Sequence, residues 1–289
     1  LKTMKNFKLK SILILLVGVT IAFTSCKKDE ATVAQDSSFS NDDAFVESIY
    51  DNVSDITDEA YYEGSSTLKS GGKKVFLSPC ATISLDTTVM PMVLTIDFGE
   101  VNCLCNDGLY RRGKIIVTFT GRYFEEGTVI THGFEDYYVN DNNVDGSKVM
   151  TNMGPNDDGY LYFTIVVNGI ITLADDGGTI TWDATKTRTW IEGYDTKEKG
   201  DDVYLIEGEA EGVRASGLSW EREIISPLRR EMSCRWIVSG IVEIRPQDLP
   251  VKTVDFGDGE CDNLVTVTVD GETYTIALKK VFRWRKGQN

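Results

Sequence analysis

Residues 114–120, Lys-Ile-Ile-Val-Thr-Phe-Thr, alternate between the two faces of an extended chain. Ile115, Val117 and Phe119 fall on one face, and the lysine, the two threonines and Ile116 fall on the other. A period of two over five or more residues is typical of a strand with one buried face. The stretch therefore predicts an antiparallel strand that packs on a core with one side only.

The same period recurs from Val75 to Arg283. Further single-face rows are Leu161, Phe163, Ile165 and Val167, then Trp236, Val238, Val242 and Ile244, then Tyr274, Ile276 and Leu278. Turn-forming pairs such as Asp270-Gly271 separate them, because these residues accept the positive φ of tight hairpins. We expect an all-β domain over 75–289, with roughly a dozen antiparallel strands in a sandwich, an open barrel or a long meander.

An amphipathic helix is predicted before this domain. Phe45, Ile49, Val53, Ile56 and Ala60 follow one another at spacings of four, four, three and four, which places them on one helical face. We expect a short helix from about 42 to 61, within a helix-and-linker segment at 41–74 that includes the flexible sequences 64–66 and 70–72. Docking on its own β domain is favoured over docking on a partner.

The N-terminal residues read as an export signal. Four lysines lie in residues 1–10, an apolar run extends from Ile12 to Phe23, and small residues precede Cys26. About a dozen apolar residues are too few to span a bilayer as a helix. Residues 1–25 are therefore predicted to be a lipoprotein signal peptide. Cys26 is the predicted lipidation site, and 26–40 is the predicted flexible tether.

The leader also predicts the cellular location of the protein. An acylated cysteine with two or more chains gives stable membrane attachment. Lys27-Lys28-Asp29-Glu30 resembles the surface-export signal of Bacteroidota lipoproteins. We expect an outer-membrane lipoprotein that faces the cell surface, with a periplasm-facing orientation as the alternative.

A short motif with a cysteine occurs twice. Both 97–103 and 255–261 read Asp-Phe-Gly-x-x-x-Cys, and each is followed by an alternating strand. We interpret the match as a duplicated β unit at the two ends of the domain, at 80–125 and 234–283. An exported protein forms disulfides, so the repeat predicts Cys234–Cys261 and a bond from Cys80 to Cys103 or Cys105.

Charge excludes some functions. The net charge is −15, and removal of the leader leaves 26 basic and 45 acidic residues, a net charge of −19. A strongly acidic surface disfavours nucleic acid and electrostatic binding to anionic lipid. It is compatible with a divalent cation or a basic partner.

No catalytic constellation is recognisable from the sequence pattern alone. The single histidine, His132, has no nucleophile motif beside it, and no phosphate-binding loop follows a strand. Asp141, Asn143 and Asp145 with Gly146 match the first half of a calcium loop, but position 152 is asparagine where a glutamate ligand is required. A plain hairpin turn is favoured, with calcium as the weaker hypothesis and no other cofactor expected.

Tryptophans offer a second weak site. Trp182 and Trp190 lie on neighbouring β segments and could stack on sugar rings, although packing in the core is the usual role of such residues.

Several segments resemble a known family. They are 97–99, 111–115, 187–193, Cys234-Arg235-Trp236-Ile237-Val238-Ser239-Gly240, and 255–262. Together with the leader, they make the chain similar to the uncharacterised outer-membrane and surface lipoproteins of the Bacteroidota, which have a lipobox cysteine and an antiparallel β body. The resemblance implies lipoprotein status and carries no catalytic residues.

The sequence leaves three functions open. The first is a non-enzymatic, lipid-anchored β module that binds a ligand or a protein partner. The second is a surface protein that binds or degrades glycan. The third is a fimbria-like subunit that assembles by strand addition.

Overall fold

The structure is a computed structural model of the 289-residue chain, and it describes residues 28–64, 77, 80–196 and 198–278. One helix, α1 (Lys28–Gly64), precedes the sheet. The strands are β1 (Thr82–Asp86), β2 (Met92–Asp97), β3 (Cys103–Leu104), β4 (Tyr110–Phe119), β5 (Val129–Val139), β6 (Asn142–Pro155), β7 (Leu161–Thr172), β8 (Thr179–Glu192), β9 (Val203–Val213), β10 (Ser219–Glu231), β11 (Ile237–Pro246), β12 (Lys252–Asp258), β13 (Leu264–Val269) and β14 (Glu272–Ala277).

All fourteen strands belong to one antiparallel sheet. Each strand pairs with its neighbour in sequence, except that β2 pairs with β4 and the short β3 pairs with the first two residues of β4. β1 and β14 form the two edges, and the sheet does not close into a barrel. The predicted all-β antiparallel meander with an N-terminal helix is confirmed, and it is open rather than a sandwich.

The core lies between one face of this sheet and α1. Alternate residues of the strands point inward, as in β4, where Ile115, Val117 and Phe119 are fully buried. The helix contributes Ile49, Val53, Ile56 and Ala60 from the predicted stripe, whereas Phe45 is only partly buried. Docking of the helix on its own domain is therefore confirmed.

The helix begins earlier than expected. It starts at Lys28, so the residues predicted to form most of a flexible tether at 26–40 are helical. No glycine or proline occurs between Lys28 and Gly64, so nothing in the sequence breaks the helix over this range. At its other end, the helix is predicted to stop at about residue 61, and the structure extends it to Gly64. The leader and Cys26 lie outside the described residues.

The helix has a defined direction across the sheet. In a meander, successive hairpins alternate between the two ends of the sheet. Asp43 binds Trp182 and Trp220, which lie near the first residues of β8 and β10, whereas Tyr61 packs on Phe119, the last residue of β4. These positions lie at opposite ends, which we call proximal (where β8 and β10 begin) and distal. α1 thus runs from proximal to distal.

The two predicted cysteine pairs are at disulfide distance. The Cα atoms of Cys80 and Cys103 are 6.2 Å apart, and those of Cys234 and Cys261 are 5.8 Å apart. Both values fit a disulfide. Of the two predicted disulfide partners of Cys80, the structure pairs it with Cys103, and Cys105 is a buried free thiol.

The repeated motif also has a repeated shape. The Asp97 carboxylate accepts a hydrogen bond from the Gly99 N–H at 2.8 Å, and Asp255 accepts one from Gly257 at 2.9 Å. Both glycines have a positive φ, +82° and +91°, which a residue with a Cβ rarely adopts. The two turns share a local geometry, and the duplication of whole units at 80–125 and 234–283 stays a prediction.

Candidate functional site

The interface between α1 and the sheet carries an unusual number of charges. Asp43, Glu47, Asp51 and Asp55 are spaced every four residues, so they lie along one face of the helix. We call these four the acidic ladder. Opposite them, strands β6, β8 and β10 present what we call the cationic face, formed by Lys148, Lys186, Arg188, Arg222 and Arg230.

The proximal part of this interface is tightly bonded. One carboxylate oxygen of Asp43 accepts hydrogen bonds from the indole N–H groups of Trp182 at 3.3 Å and Trp220 at 3.1 Å. Its other oxygen lies 3.5 Å from Arg222. Glu47 accepts from Lys186 at 2.5 Å and lies 2.7 Å from Arg222. The carboxylates therefore close the proximal contact with direct bonds.

Burial and charge shift the pKa values of these two acids in opposite directions. Asp43 is 3% exposed, and burial raises its pKa despite the charge of Arg222. Burial alone would raise the pKa of Glu47 as well. The charges of Arg222 and Lys186 outweigh it and hold that pKa well below its usual range.

Tyr50 fixes the height of the helix above the sheet. Its hydroxyl donates to the Asp145 carbonyl at 2.5 Å and accepts from the Ile170 N–H at 2.9 Å. The ring reaches these groups because residue 169 is glycine. A Cβ at Gly169 would lie 2.6 Å from the nearest ring atom of Tyr50.

Lys148 and His132 lie beneath this part of the helix. Lys148 is 2% exposed and donates to the Tyr50 carbonyl at 2.8 Å. Burial lowers its pKa to about 8. His132 is also buried. Burial and the neighbouring Lys148 charge lower the pKa of His132 to about 3, so the imidazole is neutral at physiological pH.

The distal part of the interface is looser. Asp51 lies 3.8 Å from Lys148, 3.9 Å from Lys186 and 3.8 Å from Arg230. These separations are too long for hydrogen bonds. A cavity of about 40 Å³ opens here between the helix acids and the sheet, and it is large enough to hold water. The distal contact is therefore incompletely closed.

Arg188 lines this cavity and is not fully bonded. Its guanidinium lies 5.2 Å from the ring centroid of Phe163 and 4.9 Å from that of Tyr204. One terminal nitrogen donates to the Tyr123 hydroxyl at 3.1 Å. Its Nε has no hydrogen-bond partner among the described residues. Arg188 thus lines the cavity and keeps one buried donor that has no hydrogen-bond partner in the described part of the chain.

The predicted tryptophan site is wrong in its placement. Trp182 is fully buried and Trp190 is 3% exposed, so neither presents a surface to a sugar. Trp182 instead stacks against Tyr50 and bonds Asp43, and Trp190 packs on Phe124 and Tyr204. The inward half of each strand alternation takes these large side chains into the core.

The three calcium candidates bind separate partners. Asp141 lies in a tight turn after β5 and is paired with Arg112 and Asn102. Asn143 and Asp145 are inside β6, where Asn143 donates to the Tyr137 carbonyl at 3.2 Å and the Asp145 carboxylate accepts from Gly146. The segment is therefore a hairpin. In the described part of the chain, no group of three or more His, Cys, Asp or Glu side chains is placed to hold a metal.

Exposed aromatic residues cluster elsewhere, in three neighbouring distal hairpins. Phe124 follows β4, Tyr160 precedes β7 and Tyr194 follows β8, and their exposed fractions are 41%, 38% and 48%. The sequence pattern gave no reason to separate these three from the buried aromatics. Phe124 is followed by Glu125 and Glu126 and Tyr194 by Asp195, whereas Tyr160 is flanked by a glycine and a leucine.

Comparison with protein families, with curated proteins and with solved structures finds no match for this chain. Among the described residues, no helix has both the length and the apolar character that crossing a membrane requires.

Proposed function

We propose that the protein is a non-enzymatic binding module, lipid-anchored through Cys26 to the outer membrane and facing the cell surface. Its binding surface is the cationic face, and α1 is the built-in occupant. The leader supports the anchor, as does the resemblance to Bacteroidota lipoproteins. The ligand is a protein partner rather than nucleic acid, given the acidic exterior.

One observation carries this proposal. Lys148, Lys186 and Arg222 are at most 5% exposed, yet all three are paired with acids of a single helix. Replacing a buried ion pair by apolar residues is often neutral or stabilising. Stability alone therefore does not explain these charges. A contact that has to open and close in water explains them, because both surfaces are charged when apart.

Native-state hydrogen exchange tests the opening. Because the distal contact is loose, we expect amides of residues 51–61 to exchange through a local opening with a lower free energy than the β6–β8 amides. Added salt should lower that opening energy, since it screens ion pairs. If α1 exchanges only with global unfolding at every salt concentration, the helix is a permanent core element and the proposal fails.

The address is tested separately. Metabolic labelling with an alkyne fatty acid should mark the wild-type protein and leave Cys26→Ala unlabelled in the soluble fraction. Protease added to intact cells should degrade a surface-facing protein. Protection until the outer membrane is broken would support the periplasm-facing orientation instead.

A glycan-binding module is the second candidate, and the distal aromatics favour it. Hairpins at one end of a sheet are about two strand spacings apart, or about 10 Å, so Phe124, Tyr160 and Tyr194 form a row of separated aromatic platforms. On a glycan array, loss of selective binding in Phe124→Ala and Tyr160→Ala, with Tyr110→Ala as an exposed control at the proximal end, would favour this function. A long unpaired edge strand would favour the fimbria-like alternative, and the two edge strands described have five and six residues.

A further inference from the structure

We infer that the cationic face is a receptor for an acidic amphipathic helix supplied by a partner protein, which replaces α1. The inference rests on the proposed function, because the face has to open before a second helix can enter. α1 itself shows which chemistry fits.

The first requirement on the incoming chain is charge spacing. The acidic ladder places a carboxylate every four residues, and the cations that these carboxylates meet change along the sheet, from Arg222 at Asp43 to Arg230 at Asp55. Glu47 bonds Lys186 and Arg222, and Asp55 lies 3.1 Å from Arg230. A ligand therefore needs carboxylates repeated at one helical turn, about 6 Å apart along the axis. A disordered polyanion presents no such spacing.

The second requirement is an apolar stripe beside the ladder. α1 buries Ile49, Val53, Ile56 and Ala60, each at most 2% exposed. Full burial of a large aliphatic side chain stabilises by about 1.5–3 kcal/mol. Simple release of α1 would expose these groups and the strands beneath them. Replacement by a helix with the same stripe keeps that burial, so exchange is favoured over release, and a small anion is a poor substitute.

The third observation concerns where exchange starts. The cavity, the long contacts of Asp51 and the spare Nε donor of Arg188 are all on the distal half of the interface. The distal end of α1 also leads directly into the glycine- and serine-containing sequence 64–72. An incoming acidic helix can pair with Arg188 and Arg230 there before the proximal bonds of Asp43 break.

The test uses the full chain with a protease site inserted between Ser70 and Gly71. After cleavage, α1 is held only by non-covalent contacts. A fluorescent peptide of residues 41–64 is the probe, and its binding is followed by anisotropy. We expect saturable incorporation, and we expect a peptide with Glu47→Gln, Asp51→Asn and Asp55→Asn to bind at least tenfold more weakly while keeping the apolar stripe.

A charge swap checks the register. Arg230→Glu should weaken binding of the wild-type peptide about five- to tenfold, and the Asp55→Lys peptide should recover most of that loss on the same variant. Arg230 is half-buried, so the variant is expected to fold, and circular dichroism with thermal melting verifies it.

Three results would overturn the inference. The neutralised peptide could bind as well as the acidic one, the swap could give no rescue, or a sulfated polysaccharide could displace the peptide as well as unlabelled peptide does. The proposed function fails separately, if hydrogen exchange shows no local opening. Opening without peptide uptake would reject only the helical ligand.

Discussion

The proximal and distal halves of α1 dock on the same sheet face by different means. In residues 42–50, carboxylates bond directly to buried donors, with distances of 2.5–3.3 Å for the bonds of Asp43 and Glu47 to Trp182, Trp220 and Lys186. In residues 51–61, Asp55 accepts a hydrogen bond from Arg230 at 3.1 Å, but Asp51 stays 3.8–3.9 Å from its three cations and a cavity intervenes.

The difference separates two roles of charge. A buried carboxylate that satisfies several donors fixes the register of a helix, because any shift leaves those donors without partners. A half-exposed carboxylate at longer range contributes attraction that water and salt weaken. The proximal half thus specifies where α1 sits, and the distal half is the part in which we propose that opening starts.

The largest expected effect is at Asp43. Asp43→Ala removes the acceptor of two buried indole N–H groups and one partner of Arg222, and we expect a loss of about 3–5 kcal/mol in the free energy of unfolding. Urea denaturation measures it. Asp42→Ala is the matched control, because Asp42 bonds the partly exposed Arg214 and should cost less than about 1 kcal/mol. Equal losses would remove the distinction between a register-fixing acid and its neighbour.

The next effect is at the boundary between the halves. A methyl group on Gly169 would lie 2.6–2.8 Å from two ring atoms and the hydroxyl oxygen of Tyr50. Tyr50 also holds two backbone hydrogen bonds, so it has little room to move. We expect Gly169→Ala to destabilise by up to about 3 kcal/mol, the upper range for overpacking. Gly133→Ala is the control within the sheet, since its nearest atom would be 3.9 Å away. Similar urea-denaturation midpoints for the two variants would contradict this account.

Acid should act on the same boundary through His132. Its pKa is about 3 in the folded protein and about 6.5 when unfolded. The unfolded state therefore takes up a proton below pH 6.5 that the folded state does not, and stability falls as the pH falls from 6.5 toward 3. By pH 5 the loss relative to pH 7 is about 2 kcal/mol.

The contribution of His132 protonation is measured from the unfolding free energies of the wild type and of His132→Gln at pH 7 and at pH 5. The change between pH 7 and pH 5 should be smaller in the variant by about that amount, because contributions from groups such as Asp43 are common to both proteins. Parallel pH profiles would show that the histidine is not buried in its neutral form.

Much of the architecture follows from local pattern. The alternation in residues 114–120 predicts β4 and its buried face, and the stripe from Ile49 to Ala60 predicts the docked face of α1, because both depend only on the geometry of a single element. The repeated motif also led to the cysteine pairs, since the two disulfides link its copies to cysteines upstream.

The charged interface was not predictable in the same way. Asp43 and Trp182 are 139 residues apart, and Asp43 and Trp220 are 177 apart, so no local period connects them. A run of acids on a helix is usually a solvated face, and a tryptophan in a strand can face either side. Only the sheet topology, which brings the first residues of β8 and β10 to one end, places the indoles over the helix acid.

The smallest expected effect on the free energy of unfolding is at Asp51, and it tests the difference between the proximal and distal halves of α1 most directly. Its contacts are long, and its side chain is 29% exposed. Asp51→Asn should therefore change the free energy of unfolding by less than about 1 kcal/mol. The same substitution should make the distal α1 amides exchange faster and should make that exchange depend less on salt. The reason is that the attraction of residue 51 to three cations is lost, while Asp43 still fixes the position of the helix. A loss of unfolding free energy comparable to that of Asp43→Ala would show that both halves of α1 dock in the same way. In that case the proposal that the distal half opens before the proximal half would be wrong.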